Sequence, residues 1–303
     1  MSDPRALLQK ADKNINAGTG MFKMFVDLEG KYEEAVTWCT EAANELYTRE
    51  QFIESGNAFE KAANIYIGKL DRGLDAAPLL VEASETYVND PEGGPDAIRC
   101  LNAAIEIFRK KDLSRAAKHM ESMASVYQKQ LNNPQKAMEC YEQAATWQEK
   151  KSNAQITANN IWLKAADIAV NERNYEKAIK IFEKVGKGYI GHKNMRFSVK
   201  GYLFNAGICH LAEGGLTAVN NALEDYSRCD SGIGGFATQK EYQLLMHLSA
   251  ASEDNSTAAF RAAVEQYKFL LNNWQMDVLN EVESKLEAAI KDKRFLDNLS
   301  GFE

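Results

Sequence analysis

Small residues recur along this chain at a nearly fixed interval, and that spacing constrains the fold more than any other feature. Ala35, Ser55, Ala76, Ala97, Ala116, Ala137, Ala158 and Ala178 follow one another at intervals of about 19 to 21 residues. Four positions after each stands a larger side chain: Cys39, Phe59, Leu80, Leu101, Met120, Tyr141, Trp162 and Phe182. Seven positions after each stands Ala42, Ala62, Ala83, Ala104, Met123, Ala144, Ala165 or Val185, most of them small. Positions i, i+4 and i+7 share one face of a helix with 3.6 residues per turn, so each segment carries an apolar stripe in which bulky side chains alternate with tiny ones. The interval holds one helix and one turn.

Turn chemistry falls between the stripes. Asn89-Asp90-Pro91-Glu92-Gly93-Gly94-Pro95 and Asn132-Asn133-Pro134 place Pro and Gly where one helix ends and the next begins. With only five prolines in 303 residues and abundant Ala, Leu, Glu and Lys, little else interrupts helix formation. Two such helices make an antiparallel hairpin, and stacking hairpins buries a stripe that no hairpin can bury alone. The prediction is an all-α fold: a tetratricopeptide-like right-handed superhelix of antiparallel helix hairpins over residues 1–185, followed by a C-terminal helical bundle over 186–303. The ruler stops after Val185, and Gly-rich breaks appear at Gly214-Gly215-Leu216 and Ser231-Gly232-Ile233-Gly234-Gly235. A last long helix is expected from about Gln275 to Lys291, with Met276, Leu279, Val282, Leu286 and Ile290 on one side.

Composition narrows the function classes. A net charge of −7 argues against a general nucleic-acid binder, which requires a surplus of Lys and Arg to neutralise phosphates. Cys39, Cys100, Cys140, Cys209 and Cys229 are odd in number, far apart and mostly set among apolar residues, the pattern of reduced core thiols in a reducing compartment. The opening Met1-Ser2-Asp3-Pro4 has no basic-then-apolar leader, and no stretch approaches the roughly 18 apolar residues of a membrane span. A cytoplasmic protein is expected.

Sites of chemistry are hard to find. His119, His192, His210 and His247 lack metal-ligand spacing. Cys209 and His210 are adjacent, so on a helix they point about 100° apart and cannot form a thiolate pair unaided. Gly18-Thr19-Gly20 and the Gly232–Gly235 segment are not followed by the Gly-Lys-Ser/Thr that holds phosphates, and loop is the better reading. Paired acids such as Glu33 and Glu34 belong to turns or solvated helix faces. No catalytic residue, cofactor or metal is assigned.

Longer segments carry a family likeness. Ser55-Gly56-Asn57-Ala58-Phe59-Glu60-Lys61-Ala62-Ala63, the run from Ala97 through Phe108 followed by Ala116-Ala117-Lys118-His119, the run from Lys136 through Ala145, that from Tyr175 through Gly186, and Lys200-Gly201-Tyr202-Leu203-Phe204 resemble, in order and spacing, consecutive helices of the soluble NSF attachment protein family, alpha type. The likeness covers nearly the whole chain. It implies a non-enzymatic adaptor that wraps the four-helix bundle of assembled SNAREs, of the syntaxin type, and recruits the hexameric AAA ATPase NSF to take the bundle apart.

The resemblance also implies sites. The family grips the acidic SNARE bundle with lysines that match Lys118, Lys164 and Lys200, with an aromatic contact at Phe197. Spaced Lys heads suit a negative rod because their reach tolerates sequence variation; solvated lysines with no partner role are the plain alternative. Two positions depart from the family's basic pattern, Asn160 and Asp112. The family's membrane-dipping loop corresponds to Met21, Phe22, Met24 and Phe25, which would make the protein peripherally membrane-associated; a hydrophobic staple in the core is the other reading of these side chains. NSF contact is implied for Glu253 and Asp254 and, in an acid-poor tail, for Leu296, Asp297 and Leu299. From the residues alone, a generic tetratricopeptide-like scaffold that captures a peptide stays open; it would use Asn and Arg clamps in a groove instead of lysines spread along a face.

Overall fold

A computed structural model of the chain describes residues 3–17, 27–189, 196–228 and 235–300, the side chains of 196–197 and 294–300 excepted. Among the described residues it is all helix and turn, with fourteen α-helices and no strand. By their contacts the residues group into two compact units, Met1–Ile161 and Trp162–Glu303.

The first unit contains α1 (Pro4–Asn16), α2 (Leu28–Thr48), α3 (Phe52–Gly68), α4 (Gly73–Tyr87), α5 (Gly94–Arg109), α6 (Leu113–Lys129), α7 (Pro134–Glu149) and the first turns of α8 (Gln155–Asn171). From α1 to α7 each helix packs on the next. From α2 to α7 the connections are too short for anything but a reversal of direction, so these helices form antiparallel hairpins. One anchor of the sequence ruler falls in each helix from α2 to α8 and in α9 (Tyr175–Gly188) of the second unit, and all eight anchors are fully buried. Every residue seven positions on is buried as well. Of the larger residues at i+4, Met120 and Trp162 are half-buried and the rest are buried. The same pattern of burial is found in α9 of the second unit.

The structure adds a part of the repeat that the anchors did not display. Positions i+1 and i+8 are also buried in each helix, as at Ala77 and Ser84 of α4 or Ala117 and Ala124 of α6. Each helix is thus covered on two sides, which is why so many of its residues are alanine: neighbouring backbones approach closely from both directions. Ser55, the polar anchor, donates from Oγ to the Ala43 carbonyl at 2.7 Å, which removes the cost of burying its hydroxyl. At Gly56 a methyl group would lie 2.6 Å from Cε1 of Tyr87. Glycine there lets the fully buried tyrosine ring lie against α3, with its hydroxyl donating to Asn57 Oδ1 at 2.7 Å.

Helix ends are set by local chemistry. Asp3, Asp27, Asp112, Asn133, Asn174 and Ser256 each accept a backbone N–H from the first turn that follows, satisfying donors that the helix leaves unpaired. Just beyond six helices the chain turns through a left-handed residue: Glu50, Asp71, Asn132, Asn153, Arg173 and Asn255. Asn and Asp tolerate that conformation better than other side chains do.

In the second unit α10 (Arg196–Glu213) packs against α9, α11 (Leu216–Ser227), α12 (Lys240–Glu253) and α14 (Asn273–Ser300), while α13 (Thr257–Tyr267) joins α12 to α14. Its core is built from large side chains, including Leu203, Ile208, Tyr226, Phe236, Leu244 and Phe260, all with under 2 % exposure. Polar groups bridge helices far apart in sequence: the buried Gln275 Nε2 donates to Asn205 Oδ1 at 2.7 Å and the exposed Lys285 Nζ to the Ala212 carbonyl at 3.2 Å. The last helix extends beyond the expected end at Lys291, as far as Ser300. Leu279 and Val282 on its predicted apolar side are buried, and Met276, Leu286 and Ile290 are half-buried.

Candidate functional site

In the first unit the candidate site is α6. Asp112 Oδ1 accepts the N–H groups of Ser114 and Arg115, both at 3.1 Å, so the acid that stands where the family pattern is basic fixes the start of the helix that carries Lys118. Lys118 is exposed. It heads a stripe with Ser122, Ser125 and Lys129, four residues at helical spacing on one side of α6. Beside this stripe the His119 ring stacks on Phe108 at 5.2 Å, and the Arg115 guanidinium lies 5.7 Å from the same ring. Burial, followed by the nearby Lys118 and Arg115 charges, lowers the His119 pKa, so the imidazole is neutral at neutral pH and adds no charge beside the lysine.

In the second unit Lys164 is exposed on α8, and two residues earlier the half-buried Trp162 ring receives the Lys184 ammonium at 3.8 Å from its centroid. Lys200 differs from both. It is half-buried on α10, and its Nζ lies 2.6 Å from Oε1 of Glu241, a carboxylate with 12 % exposure. A cation held this way would have to leave one carboxylate to reach another. Sequence reasoning could not find Glu241, which lies 41 positions away and shares no local pattern with Lys200. The Phe197 side chain lies outside the described residues, as do those of Leu296, Asp297 and Leu299 in the last turns of α14; Met21, Phe22, Met24 and Phe25 lie wholly outside them. Glu253 and Asp254 are exposed at the end of α12, where Glu253 accepts a hydrogen bond from Asn220.

The titratable groups of the interior hold structure together. Burial first of all pushes the thiols up, to about 11 at Cys39 and Cys140 and about 12 at Cys100 and Cys209, so none of these four is a thiolate near neutrality. His210 does not face Cys209's sulfur as a base; its Nε2 lies 3.2 Å from Glu183 Oε1, which also accepts from Tyr226 Oη at 2.6 Å. Among the described residues no group of three His, Cys, Asp or Glu could hold a metal ion, and no helix is long and apolar enough to cross a membrane.

Comparison with known proteins decides among adaptor classes. Residues 2–287 match the model of the family described as soluble NSF attachment protein, SNAP. The chain belongs to the soluble NSF attachment protein family. The probable vesicular-fusion protein sec17 homologs of Neurospora crassa and Schizosaccharomyces pombe are similar to it, at 34% and 35% identity. These alignments cover 95% and 96% of this chain and 97% and 99% of the relatives. The human alpha-soluble NSF attachment protein is 30% identical over 97% of this chain and 98% of its own length. As a soluble NSF attachment protein the chain is a vesicle-fusion adaptor of helical-repeat fold, not an enzyme.

Proposed function

We propose that this attachment protein binds assembled SNARE complexes and recruits the AAA ATPase NSF, whose ATP hydrolysis then dismantles the bundle. The observation that carries the reading is the family match across nearly the whole chain, and the exposed lysines of α6 and α8 supply a mechanism. Lys118 and Lys164 present ammonium groups on the surface, and a negatively charged helical rod is held by such heads through charge more than through stereospecific fit. Lys200, already paired with Glu241, joins only by exchanging that partner, and Phe197 is its proposed aromatic neighbour at the SNARE surface. Met21, Phe22, Met24 and Phe25 are proposed to touch the bilayer. Glu253 and Asp254, with Leu296, Asp297 and Leu299, are proposed to contact the NSF hexamer. Two weak attachments, one to SNAREs and one to lipid, reinforce each other through effective concentration.

The deciding experiment is disassembly of a SNARE complex by NSF and ATP with and without this protein; disassembly that does not depend on it rejects the adaptor role. Lys118→Glu combined with Lys164→Glu is expected to abolish capture of assembled SNARE bundles while circular dichroism stays unchanged, because both side chains are exposed. Undiminished capture rules out the gripping lysines.

A further inference from the structure

The side of the first unit that carries Lys118 continues onto α2 and α4 as a row of open hollows, and there the unsatisfied groups have the opposite sign. One hollow of about 440 Å³ lies between α2 and α4, with Thr40, Glu41, Asn44 and Leu79 on its walls. A second, of about 410 Å³, shares Thr40 and Asn44 with the first and adds Tyr47, Glu82 and Glu85. A third, of about 310 Å³, shares Glu85 with the second and passes between α4 and α6, where Ser122 and Ser125 of the Lys118 stripe bound it. Positions 37, 40, 44 and 47 of α2, and 75, 79, 82 and 85 of α4, recur at helical spacing just as 118, 122, 125 and 129 do on α6. Helices α2, α4 and α6 therefore turn one stripe each to a common groove.

In the two hollows between α2 and α4 the unanswered charged side chains are acceptors, whereas the third, at the α6 edge, is also lined by Lys129. Glu41, Glu82 and Glu85 have no side-chain partner among the described residues, in a unit whose other exposed acids are often paired, as Glu33 and Asp75 are with Arg72. Gln130 donates from Nε2 to the Val88 carbonyl, which fixes its amide, and its Oε1 is left buried without a donor. Burial, followed by the charge of Glu85, raises the Glu82 carboxyl. Beside them Tyr47 and Val88 are 45% and 38% exposed, large apolar surfaces left in contact with water.

We propose that this groove docks a basic, Lys- or Arg-bearing segment of a partner protein, its cationic heads against Glu41, Glu82 and Glu85 and its apolar side chains against Tyr47 and Val88. Ammonium and guanidinium groups are donors only, so they complement a surface whose open valences are acceptors; an acidic segment or an anionic lipid surface would be repelled. The proposal goes beyond the gripping of an acidic rod. A partner lying across the whole face would have to change sign along its length, negative over α6 and positive over α2 and α4.

The test uses the full chain and fluorescence anisotropy with two labelled peptides of equal length, one of alternating Lys, Arg and Leu and one of Asp, Glu and Leu. The basic peptide is expected to bind and the acidic one not. Glu82→Gln with Glu85→Gln should weaken basic-peptide binding at least about tenfold. Glu54→Gln with Glu92→Gln removes the same charge from exposed positions outside the groove and should change it less than about twofold. Lys118→Glu should leave it unchanged or tighten it. Absence of basic-peptide binding, equal losses from the two glutamate pairs, or loss on Lys118→Glu would each overturn the proposal. SNARE capture is read separately on the same preparation, so the groove and the gripping lysines fail independently.

Discussion

Helices α2 to α7 and helices α10 to α14 bury their apolar surface by different means. The first set uses tiny residues at fixed places: Ala42, Ala62, Ala83, Ala104 and Ala144 occupy equivalent positions, each fully buried. The second set has no such ladder. Its interior is filled by Tyr226, Phe236, Phe260, Leu244 and Leu245, and it is cross-linked by polar groups far apart in sequence, such as Asn205 with Gln275. A ladder of alanines gives close backbone contact and a surface of regular stripes, suited to presenting charges at intervals. A bundle of large side chains gives more transfer free energy per residue and no periodic surface. One architecture displays and the other anchors.

The largest effect expected from this contrast is in the bundle. Phe260→Ala empties a fully enclosed ring site and should cost about 3–5 kcal/mol of unfolding free energy, measured by urea denaturation followed by circular dichroism. A cost under about 1 kcal/mol would mean that the bundle is not held by its large side chains and would erase the distinction.

In the ladder the damaging change is in the other direction. Ala104→Leu adds bulk where α5 has none to spare, since Ala104 is fully buried, and should destabilise by about 2 kcal/mol through overpacking. The adjacent Ala103 is exposed, and Ala103→Leu should stay within about 0.5 kcal/mol of the parent. Equal costs at the two positions would show that the close approach of helices is not what the alanines serve.

A smaller effect, confined to acid, sharpens the contrast in polar chemistry. Burial raises the Glu183 carboxyl, but hydrogen bonds from His210, Tyr226 and Lys187 outweigh it and hold the group at about 2, against an ordinary 4.5. A carboxylate held low stabilises the folded state above its unfolded value, and that contribution drains away as pH falls from about 4.5 toward 2. The loss should be on the order of 2 kcal/mol. Glu183→Gln should flatten this part of the stability profile; an unchanged slope between those pH values would rule the cluster out as its source.

The same contrast explains what could be read from the chain. The repeat was legible because its contacts are local and recur: one anchor per helix from Ala35 to Ala178 suffices, and the pattern even reaches the polar Ser55. Its covered second side, i+1 and i+8, was not seen, because small residues such as Ala77 and Ala124 also suit an exposed helix. The bundle was legible only as Gly-rich breaks and one amphipathic helix, because Lys200 finds Glu241, Glu183 finds Tyr226 and Lys285 finds Ala212 across separations that carry no sequence signature. The positions of Lys118 and Lys164 came from family likeness, whereas the acids of α2 and α4 looked like any solvated helix face until α2, α4 and α6 were placed side by side.

Asp112 gives the smallest and most specific test of how the repeat serves the lysines. Read against the family pattern, an acid here weakens a basic surface. In the fold it accepts two backbone N–H groups at the start of α6 and is partnered by Arg115 at 3.5 Å. Negative charge at a helix N-terminus is also favoured by the helix dipole. Asp112→Ala should therefore cost about 1 kcal/mol of stability and loosen the first turn of α6, visible as faster amide hydrogen exchange at Ser114 and Arg115. If the acid instead only dilutes the positive surface, Asp112→Ala will tighten SNARE capture with no change in exchange. Asp112→Asn separates the two roles, since it keeps a capping oxygen and removes the charge: near-parental exchange with tighter capture would assign the capping to the oxygen and the weakened capture to the charge.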